Sequence, residues 1–176
     1  MNEMKSKTMK TLSLLFKTNK GIAPLIMRLG LAGVMFPHGA QKLLGWFGGY
    51  GFDGTMQFFT QTMHIPAALA FLAIVAEFFG SLALVFGLFS RVAAFGIGTV
   101  IAVAASTVAL PNGFFMNWFG NQKGEGIEYH ILMVVLAAGI VIQGGGQWAI
   151  DSLIHRRLVS GKITTALPSS AVPAVS

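Results

Sequence analysis

Residues 66–110 read PAALAFLAIVAEFFGSLALVFGLFSRVAAFGIGTVIAVAASTVAL, a stretch in which Glu77 and Arg91 are the only charged side chains. It holds two apolar runs, Pro66 to Phe89 and Val92 to Leu110, and each approaches or exceeds the roughly 20 residues a helix needs to cross a bilayer. Little more than Ser90 and Arg91 separates them, and so short a link makes an antiparallel helical hairpin. In hydrocarbon every backbone N–H and C=O must be bonded within the protein, so both runs read as helices.

Working outward, a further apolar run precedes the hairpin at about Ile22 to Leu44, with Pro24 in its first turn, where a missing N–H costs little. Pro37 lies inside it and is expected to kink it. A fourth run starts at about Ile127 and loses its apolar character at Gln143, closed by Gly144-Gly145-Gly146; as a span it reaches about residue 147. Over 176 residues the composition is 54% hydrophobic and 10% charged, against the roughly 25% charge typical of soluble domains. A soluble monomer is therefore excluded. The expected fold is an all-α membrane protein, an antiparallel four-transmembrane-helix bundle with a short N-terminal amphipathic helix.

Between the first two spans lies Gly45-Trp46-Phe47-Gly48-Gly49-Tyr50-Gly51-Phe52, followed by an expected amphipathic stretch around Thr55 to Met63. Its Trp and Tyr suit the membrane interface. The bundle is expected over residues 21–154. Residues 1–20 form a basic leader in which Lys7, Lys10 and Lys17 oppose Met9, Leu12, Leu15 and Phe16 on a helical wheel, as in a helix lying on an anionic membrane surface. The leader does not read as a signal peptide, because its apolar core ends at Lys17 after Leu12 to Phe16. Residues 155–176 read as a basic and then disordered tail.

The net charge of +6 and pI near 10 would in a soluble protein raise the question of nucleic acid. Sorting the charges by side answers it. With the N-terminus inside and four spans, Lys5, Lys7, Lys10, Lys17, Lys20, Arg91, Arg156, Arg157 and Lys162 are cytoplasmic and only Lys123 lies opposite. This asymmetry predicts that both termini are cytoplasmic, with membrane lipids and not nucleic acid as the partner of the basic segments. The chain has no cysteine, which excludes disulfides, thiolate catalysis and iron–sulfur ligation by its own residues.

Ionisable groups within spans are costly and mark functional candidates. They are Arg28, His38 and Lys42 in the first span, Glu77 in the second, and Glu128 and His130 at the start of the fourth. Arg28, Met35 and Lys42 share one helical stripe and His38 stands four residues before Lys42. Depth counted at about 1.5 Å per residue lets an extended Arg28 reach toward Glu77, an expected buried pair that acts in proton handling or only fixes register. His38 and His130 both fall in the outer half, where imidazoles can carry protons, hydrogen-bond a quinone carbonyl or simply be satisfied at the interface. Haem ligation would need the two rings face to face and is disfavoured; no metal site is indicated. Glu128 and His130, two residues apart, point to nearly opposite sides of a helix. The 15 Phe and nine Met are read as packing and lipid-facing residues, and Ala94 and Gly98, four apart, as a site of close helix packing.

The segment His38-Gly39-Ala40-Gln41-Lys42-Leu43-Leu44-Gly45-Trp46-Phe47-Gly48-Gly49-Tyr50-Gly51 resembles the signature that follows the first helix in the DoxX family. Arg28, Glu77-Phe78-Phe79-Gly80, the stretch Asn117 to Tyr129 with Gly126 and Glu128-Tyr129, and Gly146-Gln147-Trp148-Ala149-Ile150-Asp151 match in order and spacing. The resemblance covers about residues 22–154. It implies a four-helix, multi-pass protein of the bacterial-type inner (plasma) membrane, with Arg28, His38, Lys42, Glu77, Glu128 and Tyr129 on family-pattern positions. The family takes its name from a subunit of a thiosulfate:quinone oxidoreductase, and its members commonly carry oxidoreductase labels. Some relatives are linked to cysteine redox chemistry, which this chain cannot perform alone.

Three functions follow. The leading one is a redox-associated membrane subunit, as of a quinone-linked oxidoreductase, that binds a quinone or similar small ligand. Its ligand-binding or proton-handling candidates are Arg28, His38, Lys42, Glu77, Glu128, Tyr129 and His130, with Gly45, Trp46, Gly48, Gly49 and Gly51 letting loop backbone approach the ligand. Electrons would come from a soluble or membrane redox partner. The second is a non-catalytic scaffold that recruits a soluble oxidoreductase. The third, a small proton-coupled transporter, rests on Glu77 alone and would need a homo-oligomer.

Overall fold

A computed structural model of the chain describes Thr8 and residues 11–166, with side chains as far as Val159. Among the described residues there are helices and loops and no strand. We label the helices α1 (Ile22–Leu44), α2 (Gly51–Gln57), α3 (Ala67–Phe86), α4 (Ser90–Ala104), α5 (Glu128–Gln143) and α6 (Ile150–Ala166). α1 packs on α3, α3 on α4, α4 on α5, and α5 back on α1. The four long apolar helices thus close a ring with antiparallel neighbours, as expected of the all-α bundle. α1, α3 and the helical run Ser90–Asn112 are long and apolar enough to span a membrane, and α5 is a shorter apolar helix.

Hydrophobicity does not separate helix from lipid, so contacts inside the ring depend on close packing of small groups. The core joins Leu31, Ala32 and Met35 of α1 to Leu84 of α3, Ala94, Ile97 and Ile101 of α4, and Met133, Ala137 and Ile140 of α5. A Cβ built on Gly98 would stand 3.0 Å from the Cβ of Ala137, so Gly98 does serve close packing, against α5. Helix backbones also meet closely at Gly39, where a Cβ would stand 2.6 Å from the backbone of Phe78. That contact fixes the height of α1 against α3.

Several boundaries differ from expectation. The hairpin turn falls at Gly87–Phe89 and not at Ser90 and Arg91, since α3 ends at Phe86 and α4 starts at Ser90. Gly87 makes this turn at φ +67, and a Cβ there would lie 2.5 Å from Arg28 Nη1 and 2.6 Å from Ala149 Cα. The fourth helix stops at Gln143, before the limit near residue 147. Pro37 lies inside α1, where the sequence places it. α4 passes into a π-helical turn, Ala105–Ala109, and a 3₁₀ turn, Leu110–Asn112, while α2 passes into a second π turn, Phe58–Thr62.

Residues 155–166, expected in a basic and then disordered tail, belong to helix α6. In the leader, residues 11–15 are helical. The buried Phe16 packs on Phe89 with ring centroids 5.2 Å apart, and the Ser13 C=O lies 2.8 Å from His155 Nδ1. This part of the leader is therefore docked on the bundle; Lys5, Lys7, Met9 and Lys10 lie outside the described residues.

Candidate functional site

The intramembrane ionisable residues separate into two layers. At the end of the bundle where α1 begins and α3 ends, Arg28 is 2% exposed. Its Nη1 donates to the C=O of Leu84 at 2.7 Å and of Val85 at 3.0 Å, and its Nη2 donates to the C=O of Gln147 at 3.3 Å. The guanidinium thus satisfies carbonyls at the C-terminus of α3, where a cation is also favoured by the helix dipole.

Asp151, equally buried at 2% exposure, completes this layer. Its Oδ1 accepts the Phe89 N–H at 2.7 Å and its Oδ2 the Ser90 N–H at 2.8 Å, two free donors at the start of α4. Its charge acts on Arg28, and its own N–H donates to the Gly87 C=O at 2.9 Å. One cation and one carboxylate therefore tie together α1, the α3–α4 turn, the Gly144–Gln147 segment and α6.

The expected Arg28–Glu77 pair does not form. Gly39, eleven residues beyond Arg28, sits against Phe78, which leaves Arg28 about 16 Å along the axis from the Glu77 level at 1.5 Å per residue. The partner of Glu77 is Lys42, with Nζ 2.5 Å from Oε2 and side-chain exposures of 24% for Lys42 and 5% for Glu77.

Around this ion pair the structure gathers His38, Tyr129 and His130. The Glu77 charge acts on both His38 and Tyr129, and His38 is in turn influenced by Lys42 and His130. His38 is on the exposed side of α1. The Tyr129 and His130 rings meet edge to face with centroids 5.5 Å apart. Tyr129 Oη and His130 Nδ1 are buried and have no hydrogen-bond partner. Buried polar atoms usually find one, so this layer holds two groups able to bond a ligand.

Two clefts flank the layer. One, about 240 Å³, is lined by Gln41, Lys42, Gly48, Gly49, Tyr50, Thr55, Phe58 and Phe59, bringing part of the Gly-rich loop to the Lys42 side. Gly45 caps α1 by donating its N–H to the Ala40 C=O, and Gly49 rests on the Gln41 backbone. The close approaches seen at Gly45 and Gly51 are likewise to backbone within the loop. Trp46 is exposed at the same end. The second cleft, about 330 Å³, lies between α4 and α5 and includes His130.

Glu128 stands apart, accepting the Met116 N–H at 3.2 Å and so pinning the loop before α5. Among the described residues no three His, Asp or Glu side chains converge as metal ligands. Asp151 is the buried charge that sequence reasoning missed. It ends the family-matching stretch Gly146–Asp151 but lies beyond the apolar runs, and the amides it caps are more than 60 residues away.

Comparison with known proteins agrees with this architecture. The chain is 23% identical over 143 residues to "Putative oxidoreductase CatD" of Bacillus subtilis (strain 168), an alignment covering 81% of this chain and 95% of that protein. No solved structure matches the chain. The family described as DoxX matches residues 23–110, from α1 to the end of the α4 run. With half its length matched and its helices arranged as a membrane bundle, the chain belongs to the DoxX family.

Proposed function

We propose that this protein is a redox-associated membrane subunit that binds a quinone or a similar small, polar-headed ligand beside the Lys42–Glu77 pair. The observation that carries the reading is the coincidence, in one layer, of a buried ion pair with two unpartnered buried polar atoms, Tyr129 Oη and His130 Nδ1. A quinone ring presents carbonyl or hydroxyl oxygens. Tyr129 can donate to such an oxygen, and His130 can donate or accept according to its tautomer. Lys42, the more exposed member of the pair, can donate to a second oxygen or hold a proton at Nζ, with Glu77 fixing its position.

When bound, a quinone would supply the capacity to take up electrons and protons. This chain has no cysteine dithiol, and the electrons are assigned to a partner redox protein. The charge asymmetry of the loops supports a bacterial-type plasma-membrane location with both termini cytoplasmic, placing the Lys42 layer in the outer half. The name of the Bacillus subtilis relative supports an oxidoreductase connection; the site chemistry here supports the quinone.

The test is equilibrium binding of a tail-less 1,4-benzoquinone to the protein in nanodiscs. Saturable binding by wild type, weakened at least tenfold in Lys42→Met and His130→Phe with both variants folded, is the expected result. Absence of saturable binding by wild type overturns the reading.

A scaffold role is favoured by a different observation. Trp46, Phe47, Tyr50, Trp118 and Phe119 are all exposed on the loops at the Lys42 end, Phe119 at 91%. Such a surface suits either the membrane interface or a docked protein. Under that reading Lys42→Met and His38→Ala leave recruitment of a soluble partner intact, whereas Trp118→Ala with Phe119→Ala abolishes it.

A further inference from the structure

The cleft between α4 and α5 has a form that the ion pair alone does not account for. One wall is made of Ala102 of α4 and Ala105 and Ser106 of the π turn that continues it, small residues spaced so that they share one helical face. Ile131 and Val134 of α5 stand opposite. The Ser106 hydroxyl is already committed, donating to the Val103 C=O at 2.9 Å, so the wall offers little to a polar guest. The π turn that begins at Ala105 interrupts the regular α4 ladder here, a distortion frequent at functional sites.

One lining residue, His130, is chemically different: it carries the buried, unpartnered Nδ1 and packs against Tyr129. The space is thus apolar along its length and adjoins hydrogen-bonding groups at one place. Water gains little there, because a buried water needs two to four polar partners. At about 330 Å³ the cleft is at the small end of the roughly 300–1,000 Å³ of small-molecule sites. Its rim is exposed, with Val135 at 61%, on the outward side of a bundle whose surroundings are lipid.

We propose that this cleft holds the hydrophobic tail of a bilayer-dissolved ligand whose polar head lies at Tyr129 and His130, so that the ligand enters sideways from the membrane between α4 and α5. The proposal rests on the assignment of the Lys42–Glu77 layer as a ligand site and adds the ligand's chemical class, an amphiphile with a hydrogen-bonding head on an apolar chain. The Lys42-side cleft, with its polar Gln41, Lys42, Tyr50 and Thr55, is left for exchange with water. The two clefts thereby serve different phases around one charged layer.

The test uses wild-type protein and Val135→Trp in nanodiscs of one lipid composition, titrated with a decyl-tailed benzoquinone and with the tail-less molecule bearing the same ring. Comparing variant with wild type for each ligand cancels membrane partitioning. Val135→Trp should weaken the tailed quinone at least tenfold and change the tail-less one less than twofold. Equal effects on both ligands, or no effect on either, overturn the cleft assignment while wild-type binding of the tail-less quinone keeps the head site; ordinary acyl chains then fill the cleft. If wild type binds neither quinone, both proposals fall. Ala105→Phe fills the same space from α4 and replaces Val135→Trp if that variant does not fold.

Discussion

The two buried ionic layers of this bundle use similar side chains to opposite ends. In the Arg28–Asp151 layer the guanidinium bonds three carbonyls and the carboxylate two amides, and Gly87 leaves no room for another atom. Each layer also holds two buried polar atoms without a partner, Arg28 Nε and Ser90 Oγ in the first and Tyr129 Oη and His130 Nδ1 in the second, but in the Lys42–Glu77 layer the charges face each other and clefts open beside them. The lesson is that burial and charge do not by themselves mark a site in a membrane protein. What distinguishes a site is charge that the backbone leaves unused, next to space.

The comparison can be broken first at its structural pole. Asp151→Ala removes the acceptor for the buried Phe89 and Ser90 amides, and each buried donor left unsatisfied costs about 1–3 kcal/mol. We expect loss of folded protein or a large drop in thermal unfolding temperature in detergent, and near wild-type stability would show that the layer is not a clasp. Next, Gly39→Ala forces a Cβ into the Phe78 backbone, an overpacking expected to cost about 1–3 kcal/mol. In the protein that still folds it should also weaken quinone binding, because it shifts Lys42 against Glu77.

At the other pole, a double-mutant cycle with Lys42→Met and Glu77→Gln should give a coupling energy of about 0.5–3 kcal/mol, the double variant being more stable than the sum of the singles predicts. Zero coupling would dissolve the pair. Smallest in stability is His38→Ala, expected within about 0.5 kcal/mol because the residue is exposed. Its measurable effect should be on ligand affinity, and a large loss of stability would move His38 to the structural class.

Much of the fold is legible in the chain because the bilayer imposes a length and a hydropathy that few sequences meet by chance. The hairpin, the ring of four apolar helices and the closing glycines after Gln143 follow from these. The set of residues in the Lys42 layer is legible for a related reason: a charge in an apolar span is rare enough to be noticed singly. Pairing is another matter. Counting rise from estimated helix ends gave Arg28 reach toward Glu77, but the register is set by Gly39 against Phe78, a missing side chain that hydropathy does not weigh. The role of Asp151 is hidden because its partners, Phe89 and Ser90, are distant in sequence, although the stretch it ends matches the family pattern.

The brevity of α5 has its own effect on the lipid. Sixteen residues rise about 24 Å, against a hydrocarbon thickness of about 30 Å, while α1 with 23 residues has length to spare. Along the α5 flank the bilayer must thin, or the loop bearing the exposed Phe114, Phe115, Trp118 and Phe119 must settle into it. Such mismatch costs fractions of a kcal/mol per Å and acts on one side of the molecule only. In either case the adjustment falls on the flank that carries the α4–α5 opening.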